Sequence, residues 1–473
     1  MQNTDQVWQL VDDKKAIFEA LSDRVWAMPE IAYNEYKSVA EHIAMLREQG
    51  FHVTENLAGI PTAVMGEAGE GGPVIAILGE YDALPGLSQE AGVISPSPIP
   101  GDGMGHGCGH NLLGSASLLA ATAVKDWLAA NGLPGRVRYY GCPAEEGGAA
   151  KGFMVREGAF ADVDIAITWH PMSFAGVNDG LSLANTRIDF TFTGRASHAA
   201  ATPHLGRSAL DAVELTNVGV NYMREHMPSD ARIHYALLDG GGVAPNVVQA
   251  KAAVRYAVRA RTLGEMNPLV ERVKNVARGA ALMTETTVDI KIISAVSNLM
   301  PNGPLEQAMQ ANFDRLGAPE WDDADRALAE QIRATLEPDD IAAPYRRTGL
   351  KIRRDEPLAD AIYPLGLRGE PLIGSTDVGD VSWVVPLVQA DGATMAVGTP
   401  LHSWQMTAQG QTPHAKKGMV HVAKVMAATA VDAIRDAGLV ARARADLAAR
   451  TEGNPYVCPI PPDVTPPIRS KPV

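Results

Sequence analysis

"PVIAILGEYDAL", residues 73–84, is the stretch on which the fold reading turns. Its apolar run is continuous, not alternating, and closes at Gly79. That pattern marks a strand buried on both faces, as in a parallel sheet. A Gly/Pro/Ser-rich loop, 85–109, follows. Then "LLGSASLLAATAVKDWLAANG" (112–132) reads as an Ala/Leu-rich helix stopped by Gly132 and Pro134. "RVRYYGCP" (136–143) is a second strand, delivering "AEEGG" at its end. "VDIAITWHP" (163–171) is a third, delivering His170. Strands alternating with helices imply an α/β fold with much parallel sheet. In such sheets reactive groups gather beyond the carboxyl ends of the strands, where Asp82, Glu145, Glu146 and His170 all fall. Upstream, Val7, Leu10, Val11, Ile17, Leu21, Val25 and Trp26 recur at helical spacing and predict a helix over 4–27. A second helix is expected from Ser38 to Arg47.

The texture changes near residue 186. "TRIDFTFTGRAS" alternates like a half-exposed strand. A helix (208–226), two strands (232–238 and 246–260), a helix (265–281) and a strand (286–293) are expected after it. This βαββαβ order suggests a small α+β domain inserted in the chain. The expected division is 1–185 and 299–473 for the main domain and 186–298 for the insert. Residues 317–372, rich in charge, Pro and Arg, read as an insertion without clear pattern, able to shape a pocket or an interface. "GATMAVGTPLHSWQ" (392–405) returns to a strand expected to end in His402, and the chain is helical beyond Lys416.

The 473 residues are too many for one ordinary core. With 46% hydrophobic and 20% charged residues, the composition is that of a soluble globular protein. Basic residues number 41 against 55 acidic, a net charge of -14 with no Lys/Arg run. That argues against nucleic acid or an anionic membrane as partner. Three cysteines do not make a disulfide framework and fit a reducing compartment. No apolar run reaches the ~18 residues of a membrane span, and the N-terminus lacks the basic start and apolar core of a signal peptide. A cytoplasmic protein is expected.

"GDGMGHGCGHNLLG", residues 101–114, sets His106, Cys108 and His110 at alternate positions among glycines. In an extended loop alternate residues point one way, so these donors are expected to converge. Cys108, His110, Glu146, His170 and His402 form a thiolate, imidazole and carboxylate set suited to Zn²⁺ or Mn²⁺, with sulfur favouring the softer ion. Each is weak evidence alone, since a lone His at a strand end is commonly structural. Their gathering at several strand ends on one rim is the argument. In "PAEEGG" neighbouring side chains point to opposite sides, so one Glu can bind metal while the other faces substrate as a base. Two ions about 3.5 Å apart would polarise a carbonyl and lower the pKa of a shared water. Asp82 is placed to orient ligands from behind.

"GHGCGH", "PAEEGG", "TWH" and "GRASHAA" together resemble the aminoacylase/carboxypeptidase G type metallopeptidase family, and the Cys-Gly-His form its amidohydrolase branch. The likeness runs from Ile31 to Ala433. It implies an α/β fold: a zinc-peptidase-like three-layer catalytic domain with an inserted ferredoxin-like α+β lid that serves dimerisation. It implies metal ligands at Cys108, His110, Glu146, His170 and His402, with Cys108 bridging two divalent ions, Zn or Mn. It puts the base at Glu145 and a carbonyl-polarising residue at His198, often supplied by the partner of a homodimer. Asn246 and Arg259 would meet the substrate, Asn246 near its carboxylate. Many relatives carry His-x-Asp where this chain has "EYD": Asp82 is kept, and Glu80 takes the His position. His106 matches the branch without being a ligand there.

The implied activity is dinuclear-metal hydrolysis of the amide in N-acyl or N-aroyl amino acids. A dipeptidase or an auxin-type conjugate hydrolase are alternatives on the same scaffold. Another rival is a metal-binding, non-catalytic chain that needs a second subunit, against which the retention of Glu145 and His198 argues.

Overall fold

The computed structural model describes residues 3–178, 182–367, 369 and 374–468. Helices α1 (Asn3–Trp26) and α2 (Tyr36–Glu48) precede strands β1 (His52–Glu55), β2 (Val64–Glu70) and β3 (Val74–Glu80). Next come α3 (His110–Asn131), β4 (Gly135–Cys142), α4 (Ala150–Arg156), β5 (Ile165–Met172) and the short β6 (Gly176–Val177). A second unit runs β7 (Ala184–Thr193), α5 (Ala209–Met223), β8 (Arg232–Asp239), β9 (Lys251–Ala260), α6 (Leu263–Met283) and β10 (Thr287–Val296). The chain then returns through α7 (Gly303–Leu316), α8 (Asp323–Arg333), α9 (Pro338–Thr348), α10 (Val378–Val384) and β11 (Leu387–Ala393). It ends with α11 (Trp404–Gln409), α12 (Pro413–Arg435) and α13 (Ala437–Thr451).

The large sheet has the order β1-β2-β4-β3-β5-β11-β6, with β4, β3, β5 and β11 parallel. Every residue of β3 is buried, as its unbroken apolar run requires. One face packs on α3 and α12 through Leu118, Trp127, Trp169 and Met426, and α1 packs on those two helices through Val11. The other packs on α4 and α10 through Ala76, Leu78, Phe153 and Val381. The result is three layers, helices on both sides of a mostly parallel sheet. The chain leaves β3 for α3 on one face and β4 for α4 on the other. That switch opens a crevice at the carboxyl ends of the strands. Gly114 lets α3 lie against the end of β3: a Cβ there would sit 2.5 Å from the Glu80 carbonyl oxygen.

The second sheet has the order β10-β7-β9-β8, all antiparallel, with α5 and α6 on one face. This is the ferredoxin-like arrangement. Alternation puts Ile188, Phe190, Val254 and Tyr256 into its core and Arg187, Asp189, Arg255 and Arg259 on the opposite face. Ser208 and Thr262 cap the two helices by accepting from Asp211 N and Glu265 N.

Three readings differ from the structure. The last parallel strand is Leu387–Ala393, so it does not reach His402. Met395, Ala396 and Val397 are buried in an irregular loop, where Ala396 N donates to Gln409 Oε1 and Gly398 N to Ser173 Oγ. Side-chain partners there replace the ladder that the apolar run suggested. β9 starts at Lys251, not 246. Residues 317–372 hold two helices, α8 and α9, where no pattern was read.

Candidate metal centre and active site

Cys108 lies in the turn before α3, and His110 is the first residue of that helix. Gly109, at φ 76°, lets the chain swing from one to the other. Glu145 and Glu146 follow β4 on a turn that begins at Ala144 (φ 56°) and ends at Ala149 (φ 56°). His402 itself has φ 58°. Left-handed backbone at three non-glycine residues around one site is strain of the kind functional loops retain. The buried Glu35 holds the turn, accepting from Ala144 N at 2.9 Å. Burial, with Asp82 nearby, pushes the Glu35 carboxyl up to about 8.

The expected ligands come together as two overlapping groups. Cys108, His110 and His170 form one, and Cys108, Glu146 and His402 the other. Within each group the ligand atoms lie within 4.8 Å of one another. Cys108 Sγ stands 3.4 Å from His170 Nε2, and His402 Nε2 is 3.3 Å from Glu146 Oε1. His110 Nε2 and Glu146 Oε1 are buried and make no well-formed hydrogen bond among the described residues, only charge contacts at 3.4 Å to Glu80 and 3.3 Å to His402. Buried donors and acceptors left open beside a thiol fit divalent ions of borderline softness. Glu80, His110 and Glu145 make a third possible group.

Charge within the site is tightly opposed. Burial pushes the Cys108 thiol up, with Glu146 adding to it. A bound cation would reverse that balance. Against its burial, His110 is held well above its usual value by Cys108 and Asp82. Against its own burial, Glu146 is held down at about 2 by His402 and His110. Glu145 moves the other way: burial, then Glu80 and Glu146, raises its carboxyl well above the usual range. Asp82 works from behind. Its Oδ1 is 2.9 Å from His110 Nδ1, and its Oδ2 accepts from Glu146 N at 2.9 Å.

His106 does not join them. Its Nε2 meets the Val25 carbonyl at the end of α1, 3.1 Å away. The alternation argument fails there because residues 107 and 108 form a turn rather than extended chain. His198 is exposed on the second unit and lies outside the cavity lining; its Nδ1 accepts from Ala200 N and Ala201 N. Asn246 is exposed too, its carbonyl accepting from Ala199 N. Arg259 is half-buried on β9, and its Nε has no partner among the described residues.

The two groups open into a cavity of about 470 Å³, lined also by Glu145, Arg347, Tyr363, Gln389 and Asp391. Among the described residues, no helix is long and apolar enough to cross a membrane.

The model of Peptidase family M20/M25/M40 matches residues 76–330. A p-aminobenzoyl-glutamate hydrolase subunit of Escherichia coli (strain K12) is 47% identical over 98% of this chain and 99% of its own. The chain belongs to the M20/M25/M40 peptidase family. It is a metal-dependent amidohydrolase. The Xaa-Arg dipeptidase of Mus musculus is 28% identical, covering 93% of this chain and 91% of its own. Among solved structures, a dinuclear metal-binding peptidase of this family from Bacillus subtilis superposes with a TM-score of 0.55 at 18% identity. The match covers 88% of this chain and 99% of that one.

Two neighbours of the site, Lys151 and Arg187, carry no functional signal in the sequence motifs. Lys151, at the start of α4, is fully buried, its Nζ 2.6 Å from Glu80 Oε1 and 2.7 Å from Asp377 Oδ1. It balances the acid that stands in the usual His position. Arg187 reaches from β7 to the carbonyl of Gly147, 3.4 Å away. Gly147 has φ 127°, a backbone conformation that side-chain-bearing residues rarely adopt, and a Cβ there would displace the Arg187 guanidinium, 2.0 Å away. The alternation of "TRIDFTF" already set Arg187 on the face away from the core. Nothing local announced Lys151.

Proposed function

We propose that the chain hydrolyses the amide of N-acyl or N-aroyl amino acids with two divalent ions, Zn or Mn. One would be held by Cys108, His110 and His170, the other by Cys108, Glu146 and His402. The observation that carries the reading is the shared sulfur: two ligand groups meet at Cys108, with Glu145 on the same cavity wall. When bound, the ions supply Lewis-acid activation of water and of the scissile carbonyl. Glu145 takes the proton of the attacking water and hands it to the departing nitrogen. The raised proton affinity of its carboxyl favours the first step. Asp82 fixes the His110 ring and the Glu146 backbone. His198 donates to the oxygen on which negative charge develops. Asn246 and the unpartnered Arg259 guanidinium receive the carboxylate of the leaving amino acid.

His198 and Asn246 are exposed in one chain, and this supports a homodimer whose sites draw on both copies. Leu215, Val218 and Tyr222 form an exposed stripe on α5, beside the edge strand β8 with its exposed Tyr235 and Leu237. We assign 1–185 and 299–473 to the catalytic domain and 186–298 to a lid and dimerisation domain, in a cytoplasmic protein. The 47% identity to the Escherichia coli p-aminobenzoyl-glutamate hydrolase chain favours an aroyl-glutamate substrate. That relative is named as one subunit of its hydrolase, which also favours a second reading, in which activity needs a partner of a different sequence.

The test is hydrolysis of a panel of N-acyl and N-aroyl amino acids by the purified chain, chelated and then supplied with Zn or Mn alone. Turnover of an aroyl-glutamate supports the reading. Two metals bound and no conjugate cleaved, with or without a second subunit, overturns it.

A further inference from the structure

The floor of the cavity holds an amide with nothing to bond. Gln389 on β11 is 9% exposed, and its side-chain oxygen is buried without a hydrogen-bond partner among the described residues. Buried amides are rarely left so, because the group has given up its water for no replacement. Gln389 lines the cavity, so a ligand can reach it. Its register partner is Thr168, two residues before His170, and Asp391 pairs with His170 itself. In parallel strands the paired residues face the same side. Gln389 therefore sits on the ligand-bearing face one pleat deeper than His170, about 7 Å along the strand. That depth is about one aromatic ring below the metal ligands.

The surroundings decide what kind of ring. Asp391 accepts from Asn178 Nδ2 at 2.9 Å, from Arg347 Nη2 at 3.0 Å and from the Tyr363 hydroxyl at 3.0 Å. Arg347 is thus tied to a carboxylate already, and its other arm lies on the Met172 sulfur. This end of the cavity is a neutral, closed ion pair, unsuited to an anionic acyl group. What it leaves open is an acceptor, the Gln389 oxygen, with the buried and unpartnered Ser375 Oγ on the same cavity wall.

We propose that Gln389 is the acyl-specificity residue, taking a hydrogen bond from a donor at the far end of an aroyl group, namely a ring amine para to the scissile carbonyl. The inference rests on the amidohydrolase reading above and adds which acyl group it prefers. The experiment is titration calorimetry of the metal-loaded protein with p-aminobenzoate and with p-methylbenzoate, which matches it in shape but has no donor. The wild-type protein binds the amine at least about tenfold more tightly, and Gln389→Met brings the two within about threefold. Equal binding by the wild-type protein overturns the proposal without any variant, and so does a preference that survives Gln389→Met in a folded protein. Hydrolysis separates the two readings. If p-aminobenzoyl- and p-methylbenzoyl-glutamate are cleaved equally well, the amidohydrolase stands and the amine subsite falls. If neither is cleaved while the Gln389-dependent preference remains, the subsite stands and the assigned reaction falls.

Discussion

Lys151→Met removes the one cation in a buried row of three charges. The lysine side chain is 0% exposed, Asp377 likewise, and Glu80 3%. Against its burial, Glu80 is held below its usual value by Lys151 and then His110, while burial pushes Asp377 up despite Lys151. Without the ammonium, two carboxylates share a dry site and at least one must take a proton. Removing one member of a buried pair costs about 3–5 kcal/mol. The metal-free variant is expected to lose that much in urea unfolding, with an unchanged m-value. Lys151→Met with Asp377→Asn removes one charge of each sign and should recover half of the loss or more. Metal affinity moves the other way. The freed Glu80 carboxylate lies 3.4 Å from His110 Nε2 and no longer faces a competing cation. Divalent ions should therefore stabilise the variant by more than they stabilise the wild-type protein. A loss below about 1 kcal/mol, or metal rescue equal in both proteins, would refute the argument that Lys151 exists to balance Glu80.

Three further outcomes are expected. Glu145→Gln should keep its metal, by elemental analysis, and lose about 10²–10⁴ in kcat; full turnover would remove Glu145 as the base. Asp82→Asn should weaken metal binding by about 10–100-fold, measured by competition with a chelating dye, because the His110 ring loses its negative partner and the Asn amide oxygen can serve only one of His110 Nδ1 and Glu146 N. Burial holds His42 at about 3, and His414 and His421 at about 4, so all three stay neutral in the fold. The unfolded chain binds their protons below about pH 6.5, so stability is complete above that pH and falls as the pH drops towards 4. At pH 5 each histidine costs about 2 kcal/mol. His42→Gln should flatten part of the fall in melting temperature between pH 7 and 5, and an unchanged slope would contradict the assignment.

The parts of the fold legible in the sequence were those with a local cause. β3 shows itself as five apolar residues in a row because both of its faces are covered. β7 shows itself as alternation because only one of its faces is. The helix α8 had a local sign as well, the capping box from Asp322 to Asp325 ahead of Ala329 and Ile332. Its high charge obscured it. The loop to His402 misled for the opposite reason, since its apolar residues are buried without pairing in a sheet. Of the expected ligands only Glu146 and His170 follow from strand ends; spacing alone does not separate His106 from Cys108, and the turn at 107–108 is what sends the His106 ring to Val25. The Lys151 row and the Gln389 floor have no local cause at all. They join residues more than 200 positions apart, brought together by the order of the parallel strands.

That order also bears on how the site is completed. Its main-domain side is assembled on one continuous sheet: Glu80 at the end of β3 with Asp82 just beyond it, Glu145 and Glu146 beyond β4, His170 on β5, with His402 packed over Gly107. The second unit meets this side through Arg187, whose guanidinium rests on the Gly147 carbonyl beside the paired glutamates. Glu145 and Glu146 attract that guanidinium, although burial and Arg255 lower its proton affinity. Negative charge at Glu146, the glutamate held ionised, therefore helps hold the unit at the rim of the cavity. Ions bound there would cancel part of that charge and loosen this contact.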